Sequence, residues 1–201
     1  MEVFNKISEY YEKLIQENGY DVRSCDYGHP ASQKIKFEVI SQLCNMNGKN
    51  ILDVGCGFAD FFDFLNEKFK KANYTGVDIS PGMIKMASEK HSGAKVMLAN
   101  ILEDEVKGPF DIVTANGIFY LLGEQAELLM KQIITKMYSM ATEAIAFNSL
   151  SIWADDQQPN EYYADPVEVF SFCHSLTPWV TLRHDYHHRD FTIYMYKQRK
   201  E

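Results

Sequence analysis

An apolar run, Ile51-Leu52-Asp53-Val54, leads into Gly55-Cys56-Gly57, and about twenty residues on a second apolar run ends in the acid Asp78. Glycines spaced as Gly55-x-Gly57 let the backbone turn sharply and approach a ligand where any Cβ would collide. An acid at the tip of the following strand suits a ribose diol. The pair describes a nucleoside-cofactor pocket at the carboxyl edge of a parallel sheet. Dinucleotide sites place a third small residue after the turn, so that the helix N-terminus faces a pyrophosphate. Here that position holds Asp60. A carboxylate in the first helical turn opposes phosphate and favours a ligand with an ammonium or sulfonium group.

These residues resemble the class I S-adenosylmethionine-dependent methyltransferases. The likeness rests on Asp53-x-Gly55-x-Gly57, on Asp78, on Ser80-Pro81-Gly82-Met83-Ile84 opening the next helix, and on Ala99-Asn100-Ile101 after the third strand. It implies S-adenosyl-L-methionine as cofactor and a small-molecule acceptor as partner. Asp53, Gly55 and Gly57 would then hold the methionine part, Asp78 both ribose hydroxyls, and Ile79 and Met83 the adenine face. The pair that reads adenine falls on Asn100 and Ile101. Asn100 stands where Asp is commoner, so its carbonyl would accept from the adenine amino group without a charge. Ala59 replaces a frequent third glycine. Ahead of the turn, Asp26 to Phe37 reads Asp-x5-Ser-Gln-x-x-Lys-Phe, which is similar to a group of small bacterial-type methyltransferases with a helical lid. There Gln33 and Lys36 join the cofactor candidates; Lys36 either pairs with the methionine carboxylate or is a solvated helix residue.

Methyl transfer from a sulfonium is an in-line displacement that needs alignment, dryness and, for a protonated acceptor, a base. The acceptor must enter over the ends of the fourth and fifth strands, at Asn116-Gly117-Ile118-Phe119-Tyr120 and Asn148 to Trp153. Asn116 is also counted with the cofactor residues. It is followed by Gly-Ile rather than Pro-Pro-Tyr, which speaks against amino-group methylation of adenine or glutamine. Tyr27, Phe119, Tyr120, Trp153, Tyr162 and Tyr163 are rim aromatics for an apolar acceptor. Candidate bases are His29, His184 and His187, with His188 beside them, since imidazole titrates near neutrality. The donor-dense stretch Asp185 to Arg189 is a candidate for holding an anionic acceptor. The leading expectation is methylation of an oxygen or nitrogen of a small molecule. The alternatives are a non-catalytic S-adenosylmethionine-binding regulator, and a methyltransferase acting on a protein or tRNA.

The elements that must position these residues follow from periodicity. Residues 3–17 carry an amphipathic helical pattern, and a second runs from Ser32 to Asn47-Gly48. Strands at 50–54, 73–78, 94–98, 110–115 and 142–149 alternate with helices at 58–71, after Ser80-Pro81 and at 123–139, the last burying Leu128, Leu129, Ile133, Ile134 and Met137. Asp165-Pro166 opens one more helix, and runs at 179–184 and 191–196 suit an antiparallel hairpin. The expected fold is α/β: one doubly wound, mostly parallel seven-stranded sheet with a C-terminal antiparallel hairpin. It forms a single domain over 1–201, with a helical lid at 1–48 and a Rossmann-like core at 49–201.

Bulk properties agree with that class. The chain has 201 residues, enough for one α/β core, and 46% hydrophobic and 24% charged residues. Its net charge of -8 disfavours nucleic acid as a partner. No apolar run nears the roughly 20 residues of a membrane span. The charged N-terminus lacks a secretory pattern, so a cytoplasmic location is expected. Cys25, Cys44, Cys56 and Cys173 show no C-x-x-C spacing, and no metal site is expected. Oligomeric state is left open.

Overall fold

In the computed structural model, residues 2–199 are described; residues 1, 200 and 201 of the expected 1–201 unit lie outside the described residues. Seven strands build one sheet: β1 (Asn50–Val54), β2 (Asn73–Asp78), β3 (Lys95–Leu98), β4 (Phe110–Ala115), β5 (Ala141–Leu150), β6 (Val180–Arg183) and β7 (Asp190–Tyr196). Their order is β3-β2-β1-β4-β5-β7-β6. Strands β1 to β5 pair in parallel, and β7 runs antiparallel to both β5 and β6. Growth of the sheet reverses at the β1/β4 boundary, and a crevice opens beyond the strand ends at such a switch point.

Period-2 alternation sends neighbouring strand residues to opposite faces. Leu52 and Val54 of β1, with Ile145 and Phe147 of β5, join one hydrophobic layer. Ile51 of β1, with Ala144 and Ala146 of β5, joins the other. Large residues thus fill one face of β5, while alanines let a helix approach the other. The helices are α1 (Glu2–Asn18), α2 (Pro30–Ile40), α3 (Asp60–Lys68), α4 (Pro81–Lys90), α5 (Ala126–Met140) and α6 (Pro166–Leu176). Ser80 caps α4 through Met83 N–H and Asp165 caps α6, each followed by proline at the first helical position.

Three expectations are corrected. Helix α2 opens at Pro30, capped by the His29 ring on Ala31 N–H, and stops at Ile40 rather than at Asn47-Gly48. Leu43 and Met46 are fully buried from the turns that follow, so their apolar spacing mimics a longer helix. Helix α3 starts at Asp60 because Ala59 takes a left-handed conformation, φ 60°. That conformation costs about 1 kcal/mol for a residue with a Cβ, and the methyl group's complete burial offsets it. Residues 123–125 form a separate 3-10 turn, and α5 buries Ala126, Met130, Ile133, Ile134 and Met137, leaving Leu128 55% exposed. Leu128 lies off that i, i+4, i+7, i+8 stripe.

Phe147 is buried at the centre of β5, edge-on to Phe119 at 5.6 Å between ring centres. Phe147→Ala should destabilise the chain by ~3–5 kcal/mol. A lower denaturant midpoint with unchanged slope is the expected reading; an unchanged midpoint would contradict this account of the core.

Candidate functional site

Beyond the ends of β1, β2, β4 and β5 lies a cavity of about 250 Å³, bounded on its outer side by α1 and the Asp26 to Lys36 segment. Its floor is the glycine turn. Gly55 sits at φ 71°, and a Cβ there would stand 2.3 Å from Ile118 Cγ2. Only glycine fits. The end of β2 holds three successive amides of this turn: the Val77 carbonyl accepts from Gly55 N–H (2.8 Å) and Cys56 N–H (3.0 Å), and Asp78 Oδ2 accepts from Gly57 N–H (2.9 Å). Asp78 Oδ1 also accepts from Ser80 N–H at 2.9 Å. Burial pushes the Asp78 carboxyl up, and these amides pull it back.

Asp53 also lines the cavity, buried, and accepts from Tyr74 Oη (2.8 Å) and Thr114 Oγ1 (3.1 Å). Burial raises its carboxyl to about 7 against those hydrogen bonds. Ile79, Met83, Asn100 and Ile101 form the wall beside Asp78. Asn100 differs from expectation: its Oδ1 is taken by Leu102 N–H at 3.0 Å, and its Nδ2 is buried without a partner. The group offered to a ligand is a donor, where the expected one was the carbonyl.

The lid docks on the same corner. Glu12 Oε1, on α1, accepts from Ser80 Oγ (2.7 Å) and Gly82 N–H (2.8 Å), placing a carboxylate at the N-terminus of α4. Tyr10 and Tyr120 both donate to Asp26 Oδ2, at 2.8 and 2.7 Å, and Tyr11 Oη lies 2.9 Å from Tyr120 Oη. Asp60 is turned away from the cavity wall and accepts from Tyr20 Oη and from Gln33 Nε2 (3.3 Å). Its carboxylate therefore serves the lid, while still occupying the helix terminus that a pyrophosphate would need. Glu12 carried no local sequence signal, and although Asp26 opens the lid motif and Tyr120 is a rim aromatic, nothing local foretold that they pair with each other and with Tyr10.

The other end of the cavity gathers residues far apart in the chain. Lys36 is buried, with Nζ 3.0 Å from Asp190 Oδ1 and 5.1 Å from the Tyr27 ring centre, so it is not a solvated helix residue. Asp190, 2% exposed, has Oδ2 2.7 Å from His187 Nδ1. Burial pushes the Asp190 carboxyl up, but His187 and Lys36 outweigh it and hold the group below the usual carboxylate range. His187 lines the cavity; His29 and His184 do not. His29 is spent as the α2 cap, and the His184 ring packs on Trp153 at 5.2 Å. Arg189 reaches the cavity, yet Glu161 (2.7 Å), Asp156 (3.3 Å) and Tyr163 Oη (2.7 Å) engage its guanidinium. The Asp185 to Arg189 stretch therefore holds no free cation for an anionic acceptor. Of the rim aromatics, Tyr27, Phe119 and Tyr120 line the cavity, whereas Trp153, Tyr162 and Tyr163 stand outside it.

Asn116 completes the wall between the two ends. Gly117 N–H donates to Asn148 Oδ1 at 2.7 Å, and Asn148 Nδ2 donates to Asn116 Oδ1.

A family model described as a methyltransferase domain matches residues 51–139. The Mycobacterium tuberculosis protein Rv1506c, named as a methyltransferase, is 29% identical over 158 residues, 74% of this chain and 93% of its own. The malonyl-[acyl-carrier protein] O-methyltransferase of Anoxybacillus flavithermus is 26% identical over 62% of this chain; the match spans about half, 49%, of that relative. Magnesium protoporphyrin IX methyltransferase from Synechocystis PCC 6803, solved with bound S-adenosylmethionine, shares the fold. It has a TM-score of 0.67 at 15% identity, covering 97% of this chain and 98% of that one. No helix among the described residues is long and apolar enough to cross a membrane.

Asp53 makes stability depend on pH with a definite sign. Between its unfolded value of 3.8 and its folded value of about 7, the folded chain keeps a proton that the unfolded chain has lost. Stability is therefore full below that window and falls as pH rises through it, by on the order of a few kcal/mol. Asp53→Asn should remove this component, raising the melting temperature at pH 8 relative to the parent and leaving it little changed at pH 4. Parallel melting curves across pH would refute this.

Proposed function

We propose, for a chain that belongs to the class I S-adenosylmethionine-dependent methyltransferases, that it methylates an oxygen or nitrogen of a small molecule, with His187 as the base. The observation that carries this reading is His187 at the cavity wall with Nδ1 2.7 Å from the buried carboxylate of Asp190. Nδ1 meets two groups, Asp190 Oδ2 at 2.7 Å and the Arg189 N–H at 3.2 Å; a proton held on Nδ1 by the nearer carboxylate leaves Nε2 as the acceptor for the substrate's proton. Lys36 on the other oxygen helps keep Asp190 ionised, so the carboxylate is available to orient the ring.

S-adenosylmethionine supplies a methyl group on a sulfonium, whose carbon–sulfur bond breaks as the bond to the acceptor forms. The residues present fit that cofactor. Asp78 keeps lone pairs for the ribose hydroxyls beyond those its amides use. Gly55 and Gly57 leave room for the methionine chain, and Asp53, with Gln33 also on the cavity lining, would meet its ammonium. Ile79, Met83 and Ile101 cover the adenine, and the unpartnered Asn100 Nδ2 suits a ring nitrogen, which bears a lone pair. The name of the malonyl relative, an O-methyltransferase acting on a carrier-bound acid, supports an oxygen acceptor.

S-adenosylhomocysteine should raise the melting temperature of the parent by mass action. Asp78→Ala should abolish that shift; its survival would count against the ribose assignment. His187→Gln should keep S-adenosylhomocysteine affinity within a few-fold and lower kcat by about 10²-fold or more, measured as methyl-group transfer to an accepted substrate. Equal kcat in both proteins would sink the role of His187.

A further inference from the structure

The polarity of one amide separates oxygen from nitrogen as the methylated atom. Gly117 N–H is a donor by its chemistry, and it lies 2.7 Å from the Asn148 side chain. The Asn148 atom facing it must therefore be the oxygen. That leaves Asn148 Nδ2 as the atom facing Asn116, so the Asn116 atom it meets must in turn be an oxygen. Asn148 is fully buried and has no freedom to reverse. The Asn116 Nδ2 group is what remains for the cavity, and it has no protein partner among the described residues. A backbone amide thus dictates, through two side chains, that the cavity wall between the glycine turn and the His187 end is a hydrogen-bond donor.

Resting on the methyltransferase reading above, we infer that Asn148 is a positioning residue that selects a hydroxyl, over an amine, as the methyl acceptor. A neutral amine nucleophile directs its single lone pair at the methyl group and must place its N–H bonds on acceptors. One can reach His187 Nε2, and the other meets the Asn116 N–H2, donor against donor. A hydroxyl gives its only proton to His187, directs one lone pair at the methyl carbon and keeps another for Asn116 Nδ2. The balance is complete: the oxygen–carbon bond forms, the carbon–sulfur bond breaks with its electron pair going to sulfur, and the proton rests on His187. The products are the methyl ether, S-adenosylhomocysteine and a proton. Asn116 also steadies the negative charge that develops on the oxygen as the proton leaves.

The test uses methyl-tritiated S-adenosylmethionine and a panel of small aromatic and enolic compounds in matched pairs, one member bearing a hydroxyl and the other an amine on the same skeleton. The parent should label hydroxyl members and leave the amines unlabelled. Asn116→Asp keeps the bond from Asn148 Nδ2 but turns an acceptor toward the cavity. It should lower kcat/KM for hydroxyl members by tenfold or more with S-adenosylhomocysteine affinity unchanged. Asn148→Asp, which accepts from Gly117 N–H and forces Asn116 to reverse, should act in the same direction, and circular dichroism checks that it folds; if it does not, Asn116→Asp carries the test alone. Label on the amines in the parent, unchanged hydroxyl kinetics in the variants, or a tenfold loss of S-adenosylhomocysteine affinity in Asn116→Asp would each overturn the inference. Absence of S-adenosylhomocysteine binding by the parent, or of label on every panel member and in a metabolite extract, would instead overturn the methyltransferase reading beneath it.

Discussion

The end of β2 holds the glycine turn by three consecutive amides, two on the Val77 carbonyl and one on the Asp78 carboxylate. Backbone at positive φ has no ladder of its own, so without these acceptors the turn's N–H groups would be buried and unpaired. The same carboxylate takes Ser80 N–H at the mouth of α4. One side chain therefore fixes the distance between two successive β-α units. Its ionised form is disfavoured by burial and supported by the amides, so losing the charge would weaken two turns at once.

The lid inherits its position from that corner. Glu12 meets Ser80 Oγ and Gly82 N–H, the hydroxyl and amide next to the ones Asp78 has arranged. Gly82 suits this approach, because a Cβ there would stand 2.6 Å from Glu12 Oε2 and 2.9 Å from Ile15 Cδ1 and would push both side-chain ends aside. On the far side the Tyr10, Tyr11 and Tyr120 hydroxyls converge near Asp26, which accepts from two of them and itself sits at φ 58°. The cavity is thus enclosed by hydrogen bonds between polar side chains as well as by apolar packing, and these bonds join segments up to 109 residues apart.

That separation explains what could be read from the residues in order. The sheet was legible because each strand is a local pattern, a short apolar or alternating run with its own punctuation, and the topology follows from alternation of strand and helix. The glycine turn, Asp78 and the Ser80-Pro81 cap were legible because their roles are set within a few residues. Helix ends were less so: Leu43 and Met46 keep helical spacing yet are buried from turns. The pairing of Lys36 with Asp190, the capping of α4 by Glu12 and the sorting of the histidines were not legible at all. Nothing near His29 in sequence distinguishes a ring that caps a helix from one that faces a cavity, whereas His187 is singled out only by where Asp190 and Lys36 arrive. Asp60 shows the converse. Its position in the first turn of α3 was read correctly, but its carboxylate is directed to Tyr20 and Gln33 on the lid.

Charge is a weak selector at the acceptor end, for a physical reason. Both cations that reach the cavity are neutralised by neighbours, Lys36 by Asp190 and Arg189 by Glu161 and Asp156. Detaching either to serve a ligand would take a cationic partner from a carboxylate, which for the buried Asp190 is the costlier loss. What remains to discriminate one acceptor from another is the direction of uncharged hydrogen bonds, whose effect depends on whether a partner is left unsatisfied. The Gly117-Asn148-Asn116 relay is suited to that task because its polarity starts at a backbone N–H, a group that cannot reverse. A side chain alone at the cavity wall could rotate its amide to suit either class of ligand; one tied to the main chain through a buried neighbour cannot.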